Sequence, residues 1–447
     1  MTPDAIAWII PAIAIGIGLL VAMFRWPKVW IGTIILSLPW FLSDTGTGLN
    51  PSELILGVFI VGSVGGWLFV SLLTGKTRIT GLGEQLMMLF LILSLTNIIV
   101  AVLNDVKPLE WLAEWFVFLL MLCYFPIKEY FGKSEQDLKQ LLILLAIAIL
   151  FMGAYTIYDI KMRSSTGLTY AYQLLTSRSR LFAPAFTMSF VISTAILFNT
   201  TTRRARLAVA LFTFLSGLGI LQSLTRSLWV ASAICIAILM LFLRPRQNAV
   251  LAGSIVVIAL TGYLVASTLY PRLTDIGVRM LEQRATSSTQ LTGGDYSFET
   301  RLIEADIASR WIREYPLHGS GLRAELLSWG PIEQIHWRKS FIHIGYVSML
   351  FKFGIPLTLL YLAFIAVFSG KSIITSCKVR SDRRHAHLAR AVMIGSMCFF
   401  PALYISIFVA GFIDQRYGNM MFAVLFALIT ISGDLLKPPP RTIESQG

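Results

Sequence analysis

DYSFETRLIEADIASRWIREYPLHGSGLRAELLSWGPIEQIHWRKSFIHIGYVSMLFKFG, residues Asp295–Gly354, is the one long polar excursion in a chain built of apolar runs. It holds three of the five histidines and ends by carrying His343 straight into a hydrophobic stretch. On either side the chain is apolar: 56% of its 447 residues are hydrophobic, only 14% are charged, and mean hydropathy is +0.72. A soluble domain carries about a quarter charged residues. Runs of about twenty apolar residues cross a hydrocarbon core about 30 Å thick, where only helices or closed barrels satisfy the backbone. These runs are continuous rather than alternating, so the sequence predicts an all-α polytopic membrane protein.

Spans fall near residues 5–24, 29–43, 53–74, 84–103, 109–126, 138–158, 181–199, 207–223, 226–243, 249–269, 343–368, 391–411 and 418–436. The second is short and holds Pro39, which gives about 12–13 transmembrane helices. The expected organisation is N-terminal transmembrane helices over 1–269, a loop over 270–342, C-terminal transmembrane helices over 343–436 and a tail over 437–447. The first run lacks a basic leader and a small-residue cleavage site, so it reads as a retained span.

The formal charge of +13 is concentrated in short connections such as Lys76–Arg78, Lys128–Lys139, Arg203–Arg206, Arg244–Arg246 and Lys371–Arg390. All of these fall on one side. The positive-inside rule makes that side cytoplasmic and places the 270–342 loop in the periplasm, with the tail cytoplasmic. No basic run stands on a soluble domain, which speaks against nucleic acid and leaves membrane lipids or a phosphorylated substrate as partners. The four cysteines show neither metal-ligand nor disulfide spacing, and no metal or cofactor is expected. The halves show no paired Gly/Pro-broken spans of the kind inverted-repeat transporters carry.

Within the loop, Tyr296–Glu314 has helical spacing. Leu302, Ala305, Ala308, Trp311 and Ile312 form an apolar stripe, Asp295 or Ser297 can cap the start, and Pro316 stops the helix. Such a helix lies along the membrane face as a lid over a cavity.

Several residues could carry chemistry. Arg226 opens an apolar run, where it either snorkels to headgroups or turns its planar fork into a cavity and grips phosphate oxygens. Arg301 sits one turn into the loop helix beside Glu304, as a surface ion pair or as a phosphate ligand. Arg178 and Arg180 precede the 181–199 span and contact either headgroups or substrate. His343 starts a span, and an imidazole suits proton transfer near neutral pH. His336, Lys352 and Arg416 are secondary candidates, because a charge near or within a span needs a reason.

The segment TRLIEADIASRWIREYPLHGSGL resembles the signature of the O-antigen ligase/polymerase superfamily: an arginine, a short helix, then Pro-Leu-x-Gly-x-Gly. FIHIGYVSMLFKFGIPLTLLYL is similar to that family's histidine-led span, with Ile344 where the family usually has asparagine. LTRSLWVA and SRSRLFAPAF are similar to two further family segments upstream. The resemblance covers roughly residues 178–368. It implies a GT-C-type membrane glycosyltransferase that moves a glycan from an undecaprenyl-diphosphate carrier to an acceptor, without a metal. The acceptor it suggests first is lipid A-core; a second carrier-linked repeat unit (a polymerase) and a protein (an O-oligosaccharyltransferase) are alternatives. By the same resemblance, Arg226 and Arg301 bind diphosphate, Arg180 supports them, and His343 orients or deprotonates the acceptor hydroxyl. A lipid-glycan flippase is the alternative of a different class.

Overall fold

A computed structural model describes the chain outside residues 1–17, 19–20, 22, 42–50, 164–181, 224, most of 270–295, 331–334, 380–385, 411–415 and 438–447. Among the described residues, seven helices are long and apolar enough to cross a membrane, and four shorter apolar helices accompany them. The chain is an all-α polytopic membrane protein. The predicted span at 5–24, Arg178 and Arg180 lie outside the described residues, apart from the last few positions of that span.

The elements run α1 (Pro27–Phe41), α2 (Pro51–Leu73), α3 (Leu82–Ser94), a short α4 (Asn97–Leu103), α5 (Pro108–Leu119), a 3-10 turn, α6 (Tyr124–Phe131) and α7 (Glu135–Arg163). They continue as α8 (Ala183–Asn199), α9 (Arg203–Gln222), α10 (Arg226–Met240), α11 (Pro245–Leu269), α12 (Tyr296–Glu314), strands β1 (Leu326–Gly330) and β2 (Ile335–Lys339), α13 (Gly345–Val379), α14 (His387–Ala410) and α15 (Arg416–Leu435). Four helices begin on proline, a residue whose missing N–H is harmless in the first turn.

The structure refines two predicted spans. The run at 84–103 is two helices, because Ser94 and Thr96 turn their hydroxyls back onto the Leu91 and Leu93 carbonyls at 2.8 Å and compete with the helical ladder. The run from 343 continues to Val379. A third difference lies in the loop. It holds one described long helix followed by an antiparallel strand pair, with Leu326 opposite Lys339 and Trp329 opposite His336. No strand was expected there; the five-residue strands are too short to announce themselves against longer apolar runs.

Side-chain contacts define two ends of the bundle. At one end Lys28 pairs with Asp137, and buried Glu84 takes Lys128 at 2.5 Å and the Tyr124 hydroxyl at 2.6 Å. Glu135 there caps the start of α14 through the Leu388 amide at 2.8 Å. This is the end that carries the short basic connections. Between the ends, Phe90, Phe118, Phe353, Tyr361 and Phe364 interlock α3, α5 and α13, with ring centroids 4.9–6.1 Å apart. Edge-to-face pairs of this kind add to plain area burial. The opposite end carries the α12–β1–β2 segment.

Candidate functional site

The site is held up by a break in α13. Gly354 leaves the helical region with φ 70° and ψ −177°, and Pro356 has no N–H to give. In an unbroken helix the Phe351 and Lys352 carbonyls would accept from residues 355 and 356. Here the Ile355 amide turns to the Pro316 carbonyl at 2.7 Å, so both acceptors are left over. The Pro-Leu-His-Gly-Ser-Gly turn supplies the missing donors. Ser320 N donates to Phe351 O at 2.6 Å and Gly321 N to Lys352 O at 3.0 Å. Asn97 adds its side-chain amide to Lys352 O at 2.8 Å and receives the Leu322 amide at 2.8 Å. Every exchanged hydrogen bond ties the loop to a membrane helix, because buried backbone groups must be paired.

The motif glycines are therefore explained by contact. Gly319 (φ 66°) stands so close that a Cβ would lie 2.6 Å from Gly354 N, and one on Gly321 (φ 93°) would lie 2.6 Å from Ala101 Cα. Gly321→Ala combines backbone strain with a collision against backbone, which costs roughly 2–5 kcal/mol together. Thermal unfolding in detergent is the check; a melting point equal to the wild type would contradict the docking described.

Beneath the turn, Lys352 is 1% exposed and its ammonium pairs with Glu114 of α5 at 2.5 Å. The other oxygen of Glu114 accepts the Arg323 amide. Lys352, a secondary candidate for substrate contact, is thus placed in an ion pair under the loop.

Above it lies the candidate arrangement for the chemistry. Glu304 of α12 is buried to 1% exposure. It accepts the Lys339 ammonium at 2.5 Å, the His343 amide at 3.1 Å and His343 Nδ1 at 2.8 Å. Burial pushes its carboxyl up, but His343 and Lys339 outweigh burial and hold it down at about 2. The His343 side chain keeps 38% exposure, with the Phe341 ring edge-on at 5.0 Å. From sequence alone Glu304 stands out only as a neighbour of Arg301, and Lys339 carries no local signal. The contact joins residues 39 positions apart, which no local pattern records.

The buried face of α12 corrects the apolar stripe. Ala308 is buried, but Leu302 and Trp311 are 50% and 40% exposed, and the inward position is taken by Glu304. Three cationic or N–H groups described here, the Lys339 ammonium, the His343 amide and His343 Nδ1, compensate its burial. Arg301 is half-buried and three positions before Glu304, on the same side of the helix.

Arg226, half-buried, opens α10. α10 packs along α14 with Cys235 beside the Ala402 backbone, while Gly345 at the start of α13 lies against the Ile407 carbonyl. From Cys235 back to Arg226 is about 13 Å along the helix, and from Ala402 up to Ile407 about 8 Å. Arg226 and His343 consequently emerge at the same end of the bundle, both beside the C-terminal part of α14. Arg416 begins α15 at that end, and the backbone of His336 lies in β2; the side chains of both are outside the described residues, as are Arg178 and Arg180 altogether.

No curated protein matches the chain. Residues 211–362 match the family model described as Wzy_C, O-antigen ligase. The matched segment runs from α9 through the broken part of α13, and it contains Arg226, Arg301, Glu304, Lys339 and His343. The match spans about a third of the chain, and over that segment the chain is similar to the O-antigen ligase family.

Proposed function

We propose that this protein transfers a glycan from an undecaprenyl-diphosphate carrier to an acceptor of the lipid A-core type. The reaction takes place at the periplasmic face of the bacterial inner membrane and needs no metal. The family match supports glycosyl transfer of the O-antigen ligase/polymerase type in general. The observation that carries the finer reading is the placement of His343, on a buried carboxylate and at the same end of the bundle as Arg226. That end is opposite the short basic connections, which the positive-inside rule keeps cytoplasmic.

The chemistry asks for two things. The leaving diphosphate develops negative charge as the anomeric C–O bond breaks, and guanidinium groups aimed at it lower the barrier. Arg226 and Arg301 take that role, with Arg180 in support. The attacking hydroxyl must be oriented and relieved of its proton, which is the work of His343.

Purified protein mixed with carrier-linked glycan and, separately, lipid A-core, a second carrier-linked unit or an acceptor protein tests the reading without nucleotide or added metal. Product on lipid A-core supports the ligase; product on a second carrier-linked unit makes it a polymerase. Movement of labelled carrier across a vesicle with no new glycosidic bond would make it a flippase. Arg226→Lys and Arg301→Lys keep the charge but lose the bidentate fork, and each is expected to lower kcat/KM for the donor by roughly 10- to 100-fold. A change below twofold in both would remove them from the diphosphate site.

A further inference from the structure

Glu304 is an unusual residue to bury on an extramembrane helix. A leucine in its place would continue the inward face begun by Ala308, whereas a carboxylate pays a desolvation cost unless fully partnered. Three segments converge to partner it. α12 supplies the carboxylate, β2 supplies Lys339, and the segment leading into α13 supplies His343 through both its backbone amide and its ring. An ion pair for stability alone would need Lys339 only. The two contacts to His343 do something else: they clamp one residue at its amide and at Nδ1, which fixes the direction of the ring.

We propose that Glu304 is the positioning residue for His343, holding Nδ1 as the N–H donor and thereby leaving the Nε2 lone pair for the acceptor hydroxyl. This inference rests on the glycosyl-transfer reading. An ionised carboxylate has only lone pairs to offer, so a nitrogen 2.8 Å from it must carry the hydrogen. In the neutral imidazole the other nitrogen is then the base. The ring is not buried by this clamp, since its side chain keeps 38% exposure.

The step balances. Nε2 takes the proton of the acceptor hydroxyl while that oxygen bonds to the anomeric carbon. The anomeric C–O bond to the diphosphate breaks, and the diphosphate departs with the electron pair. The imidazolium so formed sits against the Glu304 carboxylate and later releases its proton to water. The groups facing the imidazole are Glu304 from α12, the Phe341 ring on its own segment and, through Glu304, Lys339 of β2; Arg301 lies one turn away on α12.

The test uses the full-length protein in nanodiscs, labelled with 15N histidine, with the His343 signals assigned by their loss in His343→Gln. Ring 15N shifts report which nitrogen carries the hydrogen, independently of any glycan. The wild type is expected to show His343 as the Nδ1–H tautomer, Glu304→Leu to lose that bias, and Lys339→Gln to keep it while losing the ion pair. With substrates, Glu304→Leu is expected to lower kcat on the order of 100-fold with donor KM within about twofold, and Glu304→Gln to recover part of it because its carbonyl still accepts from Nδ1. If Glu304→Leu does not fold, Glu304→Gln decides, with an expected kcat loss of roughly tenfold against a stable His343 tautomer. A wild-type His343 in the Nε2–H form would overturn the inference. So would a folded Glu304 variant with wild-type kcat, even if its melting point fell. Retention of the Nδ1–H tautomer with no glycosyl transfer to any acceptor would instead sink the transfer reading and leave the Glu304–His343 coupling standing.

Discussion

His343→Ala is expected to lower glycosyl transfer by roughly 10²–10⁴-fold while leaving the protein folded, the range spanned by loss of a positioned general acid or base. The fold should tolerate the change because His343 sits at the surface end of α13, with 38% of its side chain exposed. Glu304 also retains Lys339, and the residue 343 amide is still there to donate. The loss should therefore appear in kcat rather than in donor KM, since the diphosphate is gripped elsewhere. Transfer measured with purified variant and carrier-linked glycan gives the answer. A variant working within threefold of the wild type would take His343 out of the chemistry and leave the arginines as the whole site.

Glu114→Ala is expected to be strongly destabilising, at about 3–5 kcal/mol, because it takes the carboxylate away from the Lys352 ammonium at 1% exposure. The damage should spread to the loop. Glu114 also holds the Arg323 amide, and the Lys352 carbonyl is one of the two acceptors onto which the Pro316–Gly321 turn is docked. The double replacement Glu114→Leu with Lys352→Met removes both charges together and should recover most of the lost stability. Thermal unfolding of the single and double variants in detergent separates the two cases. A single variant as stable as the double would mean that the pair is not coupled as the geometry requires.

How much of this was legible beforehand can be followed residue by residue. The membrane class, the helical content and the end of α12 near Pro316 follow from apolar runs and proline sterics, which act locally and leave a mark in the sequence. His343, Arg226 and Arg301 could be singled out because a charged or titratable group at the edge of a span is expensive and stands out against its surroundings. The apolar stripe expected on α12 differs from its buried face for a related reason. Periodicity predicts which face is apolar when burial is driven by hydrophobic contact, but Glu304 is buried against partners at positions 339 and 343, which lie outside the helix's own pattern.

The Pro-Leu-x-Gly-x-Gly pattern was visible as a motif but not as a mechanism. Its glycines could not be explained until the broken helix at Gly354 was seen beside them, because the need for φ above zero and for no Cβ comes from the backbone opposite. Lys352 was legible as a costly buried charge, yet its partner Glu114 is 238 positions away.

What the sequence by itself determined is the solvent: a chain of long apolar runs belongs in a bilayer, with its polar segment at one face. Which atoms meet at that face was decided only by the tertiary structure. Hydrogen bonds and ion pairs act over about 3 Å, and only the packed bundle brings Glu304, Lys339 and His343 within that distance.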